Sequence, residues 1–155
     1  MTETENLTRF LNADLNQTVT SPATANKVTS VGAYNHLTTQ PVSFSGRGPS
    51  ADGRIKPGIA APGVNITVPA AESENLYTTF SGTSVASAFV AGAYVLMVSY
   101  GVYQLDNPNL YGDIIRIFML RTARRPNNQA PYPNVRWGNG LPVSYTHLRA
   151  HETEL

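Results

Sequence analysis

The sequence predicts an α/β layered domain, and three stretches predict it. Thr79 to Met97 begins with small polar residues and a glycine, then continues as small and apolar residues without a charge. A run of roughly a dozen such residues or more is too long for a strand and reads as a helix. Being apolar all round, it is expected to be buried in the middle of the domain. Lys27 to Asn35 is rich in β-branched residues, ends at Asn35 and reads as a strand. Gly58 to Ala61 is a short apolar segment among dense Gly and Pro punctuation, and reads as a second, buried strand.

Gly82, Thr83 and Ser84 open the helix. Glycine allows a tight turn, and Thr and Ser are good N-cap types. Ser84 then falls in the first turn, beside unpaired backbone N–H groups and the positive end of the dipole. That is a suitable place for a nucleophilic hydroxyl next to a developing anion. From the helix alone, Ser84 reads equally well as a capping serine with no chemistry.

The 155 residues suffice for one domain of ordinary size. Hydrophobic residues make up 41% and charged residues 14%, which is a globular and not a disordered composition. A net charge of +1 argues against nucleic acid or an acidic membrane as partner. With no cysteine, disulfides, thiolate metal sites and cysteine nucleophiles are excluded. Counted residue by residue, no apolar run reaches the roughly 18 residues of a membrane span. The polar, acidic start Met1 to Asn6 does not read as a signal peptide. No cofactor or metal pattern is evident, since the spacing around Gly46-Arg47-Gly48 fits neither a phosphate loop nor a dinucleotide fingerprint.

Along the chain, Thr18 to Thr24 is expected as an edge strand interrupted by Pro22. The tract from Val42 to Ile66 reads as loops apart from Gly58–Ala61. Leu76 to Phe80 reads as a short strand feeding Gly82, and Gly101 as the C-cap that ends the long helix. Asp106 to Asn109 marks a turn and a helix start. From Tyr111 to about Arg124, Ile114, Ile115, Phe118 and Met119 recur at helical spacing. Arg121, Arg124 and Arg125 gather at the C-terminal end, where they suit the dipole.

Gly82-Thr83-Ser84-Val85-Ala86-Ser87-Ala88 and Val90-Ala91-Gly92 resemble the Gly-Thr-Ser-x-Ala-x-Pro stretch that opens the nucleophile helix of the subtilisin-like serine proteases, with Ala88 in place of proline. Proline is tolerated in a first helical turn but not required there. Three further segments fit the same family in order: Val28 to Ala33, Phe44 to Pro49, and Lys56-Pro57 with Ala61-Pro62-Gly63. Trp137-Gly138-Asn139-Gly140 resembles the Gly-x-Gly element that closes the catalytic domain. Val31 to Asn35, Phe44 to Gly48, Tyr111-Gly112-Asp113 and Tyr132-Pro133-Asn134 are similar to subtilases of clostridia and related bacteria, the group of the Csp germination proteases.

The resemblance implies a subtilisin-like three-layer α/β domain with a parallel sheet, of which this chain is the C-terminal portion. Residues 27–142 would belong to the catalytic domain. Residues 1–26 would end an upstream segment, such as the last strand of a jelly-roll insertion. Residues 143–155 resemble a translated sequencing adapter and are set aside, which places the native C-terminus further on. The resemblance further implies a serine endopeptidase acting on protein or peptide, in an extracellular, cell-surface or spore-associated setting. Ser84 would be the nucleophile of an Asp/His/Ser triad, with Thr83 and the Ser84 N–H supporting the oxyanion.

The family carries its acid in an Asp-x-Gly stretch, its base in a His-Gly-Thr stretch and its oxyanion asparagine, all well before the serine. None is found here. Asp52-Gly53 sits in a loop of the wrong signature, His36 has no glycine after it, His147 and His151 belong to the tail, and Asn35 and Asn65 lie too late in the chain. The 155-residue chain is therefore expected to be inactive by itself. A second reading is a pseudoprotease of the same fold that acts as a binding or signalling module.

Overall fold

A computed structural model of the chain describes residues 12, 14–71, 75–103, 106, 109, 112–126 and 131–143. The elements run β1 Val31–Asn35, β2 Gln40–Pro41, β3 Ile59–Pro62, β4 Ile66–Pro69, β5 Tyr77–Phe80, α1 Thr83–Tyr103 and α2 Asp113–Arg121. One sheet has the order β2-β1-β3, with β1 and β3 parallel and β2 antiparallel at the edge. Val31, Gly32, Ala33 and Tyr34 stand opposite Ile59, Ala60, Ala61 and Pro62. β4 and β5 form a separate antiparallel hairpin.

Small residues decide how closely α1 lies on this sheet. Ala33, Ile59 and Ala61 form one core cluster with Ala86, Val90 and Met97 of α1 and Ile115 and Met119 of α2. On the other face of β3, Ala60 packs with Trp137 and Leu141, and Tyr34 stacks on Trp137 with ring centroids 5.5 Å apart. Gly138 lets this corner close. Its φ is 60, and a Cβ there would run into the Pro57–Gly58 backbone.

α1 departs from the expected fully buried helix. Its buried residues, Ala86, Val90, Met97 and Gly101, make one stripe toward the sheet. Phe89 is 46% exposed, Leu96 58% and Val95 67%. An all-apolar composition permits burial on every side, but among the described residues the surface that α1 packs against is supplied mainly by β1, β3 and α2. Gly101 is an interior position of α1 and not its cap, because the helix continues to Tyr103.

The 21 residues of α1 are also long and apolar enough, by length and composition, to cross a membrane. This differs from the expectation that no apolar run reaches that length, because small residues such as Ser84, Ser87, Gly92 and Ser99 lower the mean hydropathy of α1 too little to break the run. The packing of Ala86, Val90 and Met97 against the sheet accounts for the apolar stripe as core.

The remaining differences have local causes. β1 starts at Val31 and not at Lys27 or Val28. Thr18 makes a backbone contact with Arg47, N–H to O 2.8 Å, but 21–24 form turns, so no edge strand develops. β4 begins at Ile66, the last residue of the tract expected as loop, and continues through Thr67 to Pro69, for which the sequence suggests no element. α2 stops at Arg121, short of Arg124, for two reasons. The Thr122 hydroxyl and N–H both turn back to the Phe118 carbonyl, and Arg124 exchanges two backbone hydrogen bonds with Leu141. Its start at Asp113 follows Gly112, with φ 55; the expected turn residues Asn107 and Pro108 and the first expected helical residue, Tyr111, lie outside the described residues, as does the tail from Ser144.

Candidate active site

Ser84 is the second residue of α1 and is exposed; Thr83 before it is half-buried. The placement follows from the sheet. β1 and β3 run in the same direction, and their C-terminal ends are joined to the start of α1 by two amides. Gly63 donates its N–H to the Tyr34 carbonyl at 3.0 Å, and Gly82 donates its N–H to the Gly63 carbonyl at 2.8 Å. Ser84 therefore stands beyond the carboxyl ends of parallel strands, the usual position of sites in open α/β sheets.

Gly63 is glycine for reasons of space. A Cβ there would stand 2.7 Å from Ala33 Cβ and 2.8 Å from the Gly82 carbonyl oxygen, with Ala86 Cβ at 3.5 Å. Gly63→Ala in the full-length parent is expected to cost about 1–3 kcal/mol of stability through overpacking. Thermal denaturation checks this, and an unchanged midpoint would show that the start of α1 yields freely.

The helix ladder begins with the Ala86 N–H on the Gly82 carbonyl, at 3.3 Å. This leaves the N–H groups of Thr83, Ser84 and Val85 outside the helix's own ladder. The first turn has no acidic side chain to compete for them. Such an end favours negative charge. A concavity of about 590 Å³ opens beside Val85, lined by Ala88, Phe89 and Gly92 of α1, Ile66 and Val68 of β4, and Tyr34.

By sequence, Asn65 lies too late in the chain to be the family's oxyanion donor. In the structure Asn65 instead binds Ser81: its N–H donates to Ser81 Oγ at 2.8 Å, and that hydroxyl donates to Asn65 Oδ1 at 3.3 Å. Neither residue type signals this pairing in the sequence, because it depends on the hairpin register.

The other titratable candidates lie apart. His36 is exposed in the turn between β1 and β2 and is the one histidine among the described residues. Asp52 is engaged on its own loop, accepting from Arg54 Nε at 2.7 Å and from Ser50 Oγ at 2.6 Å. The Arg54 guanidinium and the Ser50 hydroxyl hold its carboxyl well below the usual carboxylate range. Lys56, 7% exposed, donates to the carbonyls of Ala25 and Val28 at 3.3 and 3.4 Å, and burial pushes its ammonium pKa down. Among the described residues no group of three or more acidic or histidine side chains could hold a metal ion.

A serine presented on a helix start, beyond the carboxyl ends of parallel strands, occupies the usual place of a site in an open α/β sheet. The chain belongs to the subtilase family, Peptidase_S8, whose profile matches residues 6–140. It is 35% identical over 133 residues to the serine protease AprX of Bacillus subtilis, covering 74% of this chain and 29% of AprX. The CspB protease of Clostridium perfringens superposes with a TM-score of 0.86 at 34% identity, over 94% of this chain and 31% of CspB. A PatG macrocyclase solved in complex with peptide superposes with a TM-score of 0.68 at 26% identity, over 83% of this chain and 37% of that one. The expected subtilisin-like fold, and the similarity to the clostridial Csp group, both hold. The chain thus spans about three tenths of the length of AprX and CspB.

Proposed function

We propose that the parent protein is a serine endopeptidase in which Ser84 attacks the peptide carbonyl and forms an acyl-enzyme. The observation that carries this reading is the exposed Ser84 on the first turn of α1, inside the family's nucleophile signature and one residue before Val85, which lines the concavity. The Ser84 N–H and Thr83 help hold the oxyanion, aided by the helix dipole. A histidine base and an aspartate that orients it are supplied by parts of the parent upstream of this chain. Those parts also cover the exposed Phe89, Val95 and Leu96. The substrate is protein or peptide, and the setting is extracellular, cell-surface or spore-associated.

A fluorophosphonate probe tests the assignment, since it reacts with an activated serine and spares an unactivated one. In the full-length parent it is expected to label Ser84, and Ser84→Ala to abolish labelling. Labelling that survives the substitution overturns the assignment. A folded parent that does not label at all favours the binding-module reading.

A further inference from the structure

We propose that Asn65 and Ser81 form a clamp that aims Ser84, and are thus positioning residues for the reaction; the proposal rests on Ser84 as the nucleophile. The β4–β5 ladder pairs Ile66 with Phe80, so Asn65 faces Ser81 one step beyond its last regular rung. Asn65 leaves the ladder with φ 50, a left-handed backbone that asparagine tolerates better than most residues. Its N–H consequently meets the Ser81 side chain at 2.8 Å, and the Ser81 hydroxyl returns a hydrogen bond to Asn65 Oδ1 at 3.3 Å. The hydroxyl is thereby used both as acceptor and as donor.

One residue further, the Gly82 N–H is fixed on the Gly63 carbonyl at 2.8 Å. The chain is thus held at two successive residues against the turn that leaves β3, and Ser84 follows two residues after the second. Without the Ser81 contact, the Gly82–Gly63 bond alone would hold this end of the turn, and the segment leading to Ser84 could shift about that single point, helped by the wide backbone freedom of glycine. Both clamp residues are exposed, so solvent competes with their hydrogen bonds and their contribution to stability is small. Their effect falls on where the Ser84 hydroxyl points. Misplacing a reacting group by about an ångström costs on the order of a hundred-fold in rate, so a pivot of a fraction of that is large enough to read.

The test uses the full-length parent with three single variants and one double variant. Ser81→Ala removes both bonds, Ser81→Thr keeps the hydroxyl, and Asn65→Gly keeps the left-handed backbone while removing Oδ1. Ser81→Ala is expected to lower kcat and the rate of fluorophosphonate labelling at Ser84 by about ten-fold each, with KM within about two-fold. Its thermal midpoint should stay within a few degrees of wild type, and Ser81→Thr should recover most of the lost labelling rate. Asn65→Gly should lose less than Ser81→Ala, and the two together no more than Ser81→Ala alone, because paired residues are not additive. Unchanged kcat and labelling in Ser81→Ala overturn the clamp. So does a loss that tracks the unfolded fraction, or one that Ser81→Thr fails to recover. A wild-type parent that does not label at Ser84 overturns the nucleophile assignment and the clamp with it, a result distinct from equal labelling of wild type and Ser81→Ala.

Discussion

Replacing Ser84 by alanine in the full-length parent is expected to lower turnover by on the order of a million-fold, with the fold intact. The magnitude is that of subtilisin, a member of this family. Ser84 is exposed and Ala86, two residues on, carries the packing of this turn, so removing one hydroxyl leaves the core untouched. The loss should therefore appear in kcat and not in the thermal midpoint. Steady-state kinetics on a peptide-anilide substrate, run beside a melting curve, separate the two. A variant that keeps more than about one part in a thousand of wild-type turnover would exceed the residue that binding and an oxyanion hole supply in a triad knockout, and would place the nucleophile elsewhere.

The 155-residue chain by itself is expected to show no turnover above its own Ser84→Ala control. A serine hydroxyl at ordinary acidity is a weak nucleophile and depends on an adjacent base. His36 lies exposed in the β1–β2 turn, and His147 and His151 lie outside the described residues. The chain also has no asparagine in the upstream position where the family's side-chain oxyanion donor is expected. A donor of that kind contributes roughly 3 kcal/mol in subtilisin. Casein and a mixed peptide-anilide panel are the assays. Turnover clearly above the control would mean that a histidine of this chain, His36 first among them, reaches Ser84 in the folded chain.

Much of the frame was legible in the sequence, and for particular reasons. Val31, Gly32 and Ala33 and the Ile59–Ala61 run announce strands because both sit in the core and carry no polar residue to contradict it. Leu76 to Phe80 was found as a strand because it feeds the helix-opening glycine. Its partner, Ile66–Pro69, was missed. Its neighbours Pro62, Gly63 and Asn65 read as loop chemistry, its Ile66-Thr67-Val68 alternation is only three residues long, and its facing strand is exposed along its whole length. The burial of α1 was overstated because composition records what a side chain tolerates, and partners outside the element decide what it receives. Ser84 was found through its neighbours in sequence. Asn65 and Ser81 act through a backbone angle and a register, and neither is written in residue type.

The two glycine amides that join β1, β3 and α1 have a kinetic consequence. The Gly63 N–H donates to the Tyr34 carbonyl and the Gly82 N–H donates to the Gly63 carbonyl, so both contacts pass through the one residue Gly63. Because Gly82 is held on Gly63, fraying at the start of α1 requires that backbone contact to break as well as the first helical bond. Its opening is thereby tied to the ends of β1 and β3, strands whose residues Ala33, Ile59, Ala60 and Ala61 are buried. Local unfolding in proteins proceeds in such cooperative units. The Ser84 turn therefore shares the lifetime of the sheet, although the serine itself stands in solvent.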